Sequence, residues 1–118
     1  MRGDDISDRL VGLAVGVIKL VDTLPDSATG KHLAGQLMRC GPSPGANYEE
    51  ARGAESRRDF LHKLGVTLKE LQETHYWLRV VGRARLVRQC IDGLMIEADE
   101  LCRIIGKSRV TARSRMPT

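Results

Sequence analysis

Asp59 and His62 are the residues of this 118-residue chain whose types and spacing come nearest to metal chemistry. A carboxylate and an imidazole three positions apart project from the same side of a helix, as they do in di-metal helical bundles. Such a centre also needs a second pair of this kind and further inward-facing Glu residues, and the sequence shows neither. We interpret Asp59 as part of a helix N-terminus and His62 as outward-facing, and we predict no metal site.

The other residues capable of catalysis do not form an active-site pattern. His75 falls on an apolar helical stripe, where a neutral, hydrogen-bonded imidazole is a better interpretation than a general base. Cys40, Cys90 and Cys102 lie in apolar patterns, lack CxxC spacing and are odd in number, so we expect buried free thiols. The sequence contains no P-loop, GxSxG, HExxH or paired zinc-ligand spacing. We therefore predict a non-enzymatic protein that uses no cofactor.

Composition favours a helical domain as the framework for these residues. Aromatic residues make up 3% of the chain, whereas Leu, Val and Ile are frequent, which favours helices over strands. A chain of this length can bury one core without disulfides or metals. No window approaches the ~20 uncharged apolar residues of a membrane span, and no signal-peptide pattern opens the chain. We expect a cytoplasmic protein.

The first predicted helix begins at Asp4 or Asp5 and ends at Thr23. Its core stripe recurs at spacings of three and four and comprises Ile6, Leu10, Leu13, Val17, Leu20 and Leu24. Three further aliphatic residues share the opposite face: Val11, Val15 and Ile18. Because four helices cannot surround one of their number, we expect this second face to contact another subunit.

A Gly/Pro cluster at residues 41–45 interrupts the second predicted helix, which Asp26 or Ser27 caps. Its core positions before the interruption are Leu33, Leu37 and Cys40. Neither Pro42 nor Pro44 can donate a backbone hydrogen bond, yet a serine followed by Pro44 is typical of a helix restart. A kinked or briefly broken helix and a plain loop both remain open.

Asn47 and Tyr48 follow this cluster and carry polar groups near the break. They can satisfy free backbone groups there and so lock a kink. A polar ligand site with Glu50 and Arg39 is the alternative. We favour the role in locking the kink.

Ser56 and Asp59 form a capping-box-like start to the third predicted helix. Its heptad stripe comprises Leu61, Leu64, Leu68, Leu71, His75 and Leu78. The far side carries a second apolar patch: Val66, Trp77 and Val80, with Tyr76 beside them. We expect homo-oligomerisation through this patch and the second face of the first helix. For Glu70 and Glu73, we favour pairing with basic residues across a subunit boundary over exposure to solvent.

Gly82 is expected to end the third helix, and a short link through Arg83 leads to the fourth. The predicted core positions of the fourth helix are Val87, Cys90, Ile91, Leu94, Ala98, Leu101 and Ile105. We expect Gly106 to close it. Four helices with short links predict an all-α, antiparallel up-down-up-down four-helix bundle over residues 1–106, followed by a basic, disordered tail at 107–118.

Positive charge is concentrated in the last third of the chain. The formal net charge is +4, and residues 79–118 alone contain nine Lys or Arg against four Asp or Glu. Such a distribution can bind phosphate backbones by counterion release, or it can serve only as a solubilising end. The candidate nucleic-acid contacts are Arg83, Arg85, Arg88, Lys107, Arg109, Arg113 and Arg115.

The chain from Gln36 to Leu78 also resembles a known family, the four-helix bundle proteins first associated with intervening sequences inside bacterial 23S ribosomal RNA genes. The bundle alignment extends across residues 6–106, and Pro42 and Pro44 depart from the family pattern of a continuous helix. The matching residues are Gln36-Leu37 with Arg39, Gly45-Ala46-Asn47-Tyr48 with Glu50-Ala51, Ser56 with Asp59-Phe60, Lys63-Leu64, Lys69-Glu70, and Glu73-Thr74 with Tyr76-Trp77-Leu78.

The resemblance implies a closed ring of five subunits and a relationship to the accessory proteins of diversity-generating retroelements, which bind nucleic acid and a reverse transcriptase. Most members of the family have no established activity, and a shared fold does not by itself assign one. Two functional hypotheses follow. The first is an adaptor that contacts RNA or DNA nonspecifically, and the second is a protein-interaction scaffold without nucleic-acid binding.

Overall fold

Five α-helices make up the secondary structure of residues 2–116, the part of the chain that this computed structural model describes. They lie along a body of 51 × 22 × 22 Å. The second and third helices form one bent arm, so the bundle has four antiparallel arms and the predicted fold class is confirmed. The helices are α1 (Gly3–Val21), α2 (Ala28–Cys40), α3 (Ser43–Arg52), α4 (Arg57–Arg83) and α5 (Asp92–Ser114).

The core is built from one stripe of each arm. Every predicted core position of α1 up to Leu20 is buried, and Ser27 and Ser56 cap α2 and α4 by accepting hydrogen bonds from backbone amides at 3.1 and 3.0 Å. On α4 the core stripe runs through Thr67 and Thr74, and the predicted Leu68 and His75 are half-buried beside it. The buried stripe still repeats every seven residues, but it lies on the side of α4 that contacts the bent arm, where the Thr74 hydroxyl bonds to the Cys40 carbonyl.

The bend between α2 and α3 depends on a hydrogen bond from α4. Pro44 has no N–H to donate to the Cys40 carbonyl four residues earlier, so this buried acceptor lacks its helical partner. The Thr74 hydroxyl lies 2.9 Å from that carbonyl oxygen and 2.8 Å from the carbonyl oxygen of Glu70. Because Glu70 can also accept from the helical amide of Thr74, the Cys40 carbonyl is the acceptor that needs the hydroxyl proton.

Side chains on α3 and α1 complete the bend. The Asn47 side-chain amide donates to the Ser43 carbonyl and hydroxyl, both at 3.0 Å, in agreement with its predicted role in locking the kink. Gly41 is buried, and a Cβ there would lie 2.6 Å from a Val17 methyl group. A glycine is therefore required for α1 to pack this closely against the bend.

The end of α4 differs from the prediction. Gly82 lies inside the helix, and Arg85 is the residue in the left-handed region, with φ of 54°. The Leu86 amide donates to the Val81 carbonyl at 3.3 Å and the Arg85 amide donates to the Gly82 carbonyl at 3.2 Å. This pair of bonds is a Schellman motif with arginine at the position that usually favours glycine.

The link that follows is longer than predicted. Residues 84–91 separate α4 from α5, so the predicted core positions Val87 and Cys90 fall outside a helix. Val87 is half-buried and Cys90 is exposed, which corrects the expectation that Cys90 is a buried thiol.

The predicted disordered tail at residues 107–118 is wrong for residues 107–114, because α5 continues to Ser114. Gly106 lies within the helix. The core stripe of α5 continues past it to Ala112, which is 7% exposed, and this burial outweighs the weak helix propensity of one glycine. Residues 117 and 118 lie outside the described part of the chain.

We expect Thr74→Val to destabilise the protein by about 1–3 kcal/mol, because it leaves the buried Cys40 carbonyl without a donor. Urea denaturation followed by circular dichroism measures this change. Thr67→Val is a matched control, since Thr67 is equally buried on α4 and its hydroxyl donates to the Lys63 carbonyl, an acceptor that the helix already satisfies. Equal effects of the two substitutions would contradict the role assigned to Thr74.

Candidate nucleic-acid interface

The predicted basic contacts lie at two opposite ends of the bundle. Arg83, Arg85 and Arg88 lie at the end of α4 and in the link, whereas Lys107, Arg109, Arg113 and Arg115 lie in and just after the last turns of α5. Asp92 and Arg113 are separated by roughly 30 Å along the helix axis, at ~1.5 Å per residue. The seven residues therefore do not form one patch on a single chain.

At the link end, acidic and basic groups occur together. Arg85 and Arg88 line a groove of about 320 Å³ with Asp92. The carboxylate of Asp92 offsets part of their positive charge. Arg83, the last residue of α4, is exposed.

At the other end, a larger groove of about 720 Å³ opens where α1 begins, α4 begins and α5 ends. Its apolar lining is Ile6, Phe60, Ile104 and Ala112, and its cations are Arg57, Lys107 and Arg115, with Ser108 and Thr111 between them. Among residues 2–116, no Asp or Glu belongs to this lining. Glu55 lines a neighbouring groove that also includes Arg57, but they form no ion pair within 4.0 Å. We call this surface the C-terminal groove.

Arg57 was not among the residues predicted from the sequence. It is the first residue of α4, next to the Ser56 cap, and its position near Lys107 depends on the antiparallel packing of α4 and α5. The only signal in the sequence was the pair Arg57-Arg58 at a predicted helix start. That pair indicates a basic surface only when the start of α4 is known to lie beside the end of α5.

A second basic groove runs along the side of the bundle between α4 and α5. It has a volume of about 240 Å³ and is lined by His62, Gly65, Val66, Leu68, Lys69, Gln72 and Arg109. The Arg109 guanidinium lies against Gly65, where a Cβ would approach its Nε and Nη2 atoms to 3.3 Å. The Nε atom of Arg109 is buried and has no hydrogen-bond partner among the described residues. We call this surface the side groove.

The predicted oligomer contacts differ in exposure. Val11, Val15 and Ile18 on α1 are 56%, 43% and 41% exposed, and Tyr76 on α4 is 53% exposed. Val66, Trp77 and Val80 are half-buried, and the last two pack against the core of their own chain. The α1 residues therefore present the larger apolar face, and Val11 and Val15 border a groove of about 260 Å³ between α1 and α3.

Glu70 and Glu73 interact with a basic residue of their own chain. Arg39 at the end of α2 forms an ion pair with Glu73 and lies 3.6 Å from a Glu70 oxygen. Glu73 also accepts a hydrogen bond of 3.1 Å from the Trp77 indole. The expected pairing with a basic residue is present, and its partner is Arg39 of the same chain rather than a residue across a subunit boundary.

The four residues considered as a polar ligand site, Asn47, Tyr48, Glu50 and Arg39, do not come together in one site. Arg39 faces α4, and Glu50 forms an ion pair of 3.0 Å with Lys63. Tyr48 is 6% exposed, and burial raises the pKa of its hydroxyl. These partners favour a structural role for the four residues over a ligand site.

Burial raises the pKa of two thiols, which lowers their reactivity. The pKa of Cys102 is raised to about 11 by burial and, secondarily, by the Asp99 carboxylate, and burial also raises the pKa of Cys40. A nucleophilic cysteine requires the opposite shift. Within residues 2–116, no group of three metal-binding side chains occurs. Among the described helices, none has the length and apolar character needed to cross a membrane.

Comparison with known proteins identifies relatives along almost the whole chain. The family model described as 23S rRNA-intervening sequence protein matches residues 5–107. The crystal structure of a protein of unknown function from the S23 ribosomal protein family of Bacteroides thetaiotaomicron is similar at 30% sequence identity and a TM-score of 0.82. The match covers 92% of this chain and 98% of that one. No curated protein shows significant similarity to the chain.

We expect iodoacetamide to alkylate Cys90 first in the native protein, because Cys90 is exposed whereas Cys40 is buried and Cys102 is half-buried. The thiolate is the reactive form, so the Cys102 rate should keep rising until the pH approaches about 11. Peptide mass spectrometry at several pH values measures the order of labelling. The unfolded protein, in which all three thiols should react at similar rates, is the control, and similar native rates would contradict the burial described.

Proposed function

The chain belongs to the 23S rRNA-intervening sequence protein family, and from this premise we propose that it is a non-enzymatic adaptor that binds RNA or DNA as a homo-oligomer. The ring of five subunits implied by the family resemblance is the proposed assembly. The phosphate contacts are assigned to the C-terminal end of the bundle.

The observation that carries this proposal is the C-terminal groove. Arg57 on α4, Lys107 on α5 and Arg115 just after α5 line one surface that has no Asp or Glu among its described residues. Each phosphate that such cations neutralise releases counterions, which favours binding without sequence preference. Arg113 adds an exposed positive charge near the same end of α5. At the link end, Asp92 lies with Arg85 and Arg88, which makes that end the weaker site.

Self-association is proposed through the exposed face of α1. Val11, Val15 and Ile18 lie on one side of this helix with about half of each side chain accessible. Burying apolar surface of this kind is favourable by roughly 25 cal/mol per Å². An assembly would also place several C-terminal grooves on one particle, and multivalency of that kind raises the affinity for a long nucleic acid.

The second candidate function is a protein-interaction scaffold without nucleic-acid binding. It is favoured by the same apolar face, because the 260 Å³ groove beside Val11 and Val15 could accept another protein. The two candidates differ in their dependence on salt, since burial of an apolar face is far less sensitive to salt than phosphate binding.

We expect the affinity for a generic single-stranded RNA to fall steeply between about 50 and 200 mM salt. A variant with Arg57, Lys107 and Arg115 changed to Gln should make the slope of log affinity against log salt less negative by about 2. Fluorescence anisotropy measures both. Absence of binding at low salt by a folded oligomer would refute nucleic-acid binding altogether.

The matched control changes Arg83, Arg85 and Arg88 to Gln, which removes the same charge from the link end. It should reduce the slope less than the first variant does, and equal reductions would contradict the assignment to the C-terminal groove. Truncation after Gly106 is unsuitable here, because it would remove the buried Ala112 and two turns of α5.

We expect Val15→Glu to shift the assembly toward the 13.1 kDa monomer, because it places a charge on the proposed interface. Multi-angle light scattering after size-exclusion chromatography measures the mass. Val110→Glu is the control, since Val110 is a 70% exposed valine on α5 outside the proposed interface. An unchanged mass for the Val15 variant, or equal losses for both, would exclude the α1 face as the interface.

A further inference from the structure

We propose that the side groove between α4 and α5 is a phosphodiester-binding site, in which Arg109 and Lys69 hold a backbone phosphate and His62 lies at its margin. This inference rests on the proposed nucleic-acid binding and assigns a second, distinct contact to it. Neither His62 nor Lys69 was predicted as a contact from the sequence.

Gly65 determines where the Arg109 side chain lies. Because this residue has no side chain, the guanidinium packs directly against the α4 backbone, with Nε, Nη2 and Cζ all within 3.4 Å of the position a Cβ would take. Packing against α4 restricts a side chain that would otherwise lose considerable rotamer freedom on binding. The groove thus holds an arginine that is already positioned before a ligand arrives.

The hydrogen-bonding groups around Arg109 are mostly donors. The guanidinium of Arg109 lines the groove while its buried Nε lies against α4, and the groove adds the Lys69 ammonium, the Gln72 amide and the His62 imidazole. No Asp or Glu lines this groove, and neither Arg109 nor Lys69 has an ion-pair partner within 4.0 Å in the described part of the chain. A surface with several donors and no carboxylate is complementary to an anion that offers several acceptor oxygens.

A phosphodiester fits this surface better than a carboxylate ligand does. Its two non-bridging oxygens can accept from the arginine fork while a third contact comes from a lysine, which acts as a point charge. The groove is small, about 240 Å³, and partly apolar, with Val66 and Leu68 in its lining, so it accommodates one phosphate of a longer chain. Its position on the side of the bundle separates it from the groove lined by Arg57 and Lys107.

The test is anisotropy titration of the full-length protein with a fluorescent single-stranded RNA of mixed sequence. Arg109→Gln and Lys69→Gln should each weaken binding about three- to tenfold and make the salt slope less negative by about 0.7, the value for one phosphate on a single strand. Arg103→Gln is the matched control. It removes the same charge from α5, but Arg103 is 79% exposed and forms an ion pair with Asp99, so it should leave the slope unchanged.

Gly65→Leu provides a test that leaves the net charge intact. The leucine side chain occupies the space of the guanidinium and displaces it, so binding should weaken about as much as in Arg109→Gln. Leucine is a strong helix former, and circular dichroism should show an intact helical content. RNA binding equal to that of the wild type in this variant would overturn the proposed site.

The outcomes separate this inference from the proposed function. If the wild type binds RNA and loses affinity when the C-terminal groove is neutralised, but Arg109→Gln and Lys69→Gln behave like Arg103→Gln, the side groove is not a phosphate site and the proposed function remains. If the folded wild-type protein binds no RNA at low salt, both fail. If the variants lose affinity equally for RNA and for a polyglutamate peptide, the site selects anions in general and the phosphodiester assignment is wrong.

Discussion

The bent arm depends on a single buried acceptor, the carbonyl of Cys40. Pro44 removes the amide that would satisfy it in a continuous helix, and Thr74 supplies the replacement donor from α4 at 2.9 Å. The bend and the register of α4 are therefore linked. Because α3 leaves the bend at a defined position, Glu50 reaches Lys63 and Tyr48 enters the core. Pro44 is compatible with this buried part of the arm because the neighbouring helix α4 carries a threonine at this level.

Helix positions were predictable where local chemistry determines them. The serine caps Ser27 and Ser56 and the aliphatic stripe of α1 lie where the sequence indicates, since capping and amphipathicity need only neighbouring residues. The choice between His75 and Thr74 on α4 was not predictable from spacing, because it depends on which side of the helix faces the bend. Arg85 in a left-handed conformation gave no signal either, since glycine is the residue usually sought at that position.

The candidate interface was predictable in part for a similar reason. Charge counting identified the excess of Lys and Arg in residues 79–118, and the structure places its candidate contacts at two ends of the bundle. Arg57 and Lys69 come from a segment whose net charge is not unusual, and they join the basic surfaces only through the antiparallel packing of α4 and α5. The sequence therefore predicted that the protein has a basic surface, whereas the packing of α4 against α5 determined which residues line it.

Trp77 has a consequence for the study of this molecule. It is the only tryptophan in the chain, and its indole donates to Glu73, which is held by Arg39 next to the bend, while the ring of His32 on α2 meets it edge-on at 6.0 Å. Intrinsic fluorescence thus comes from one known place, the junction where α2 docks on α4. The molecule carries its own optical reporter of that junction, and separation of the second arm is observable without any attached dye.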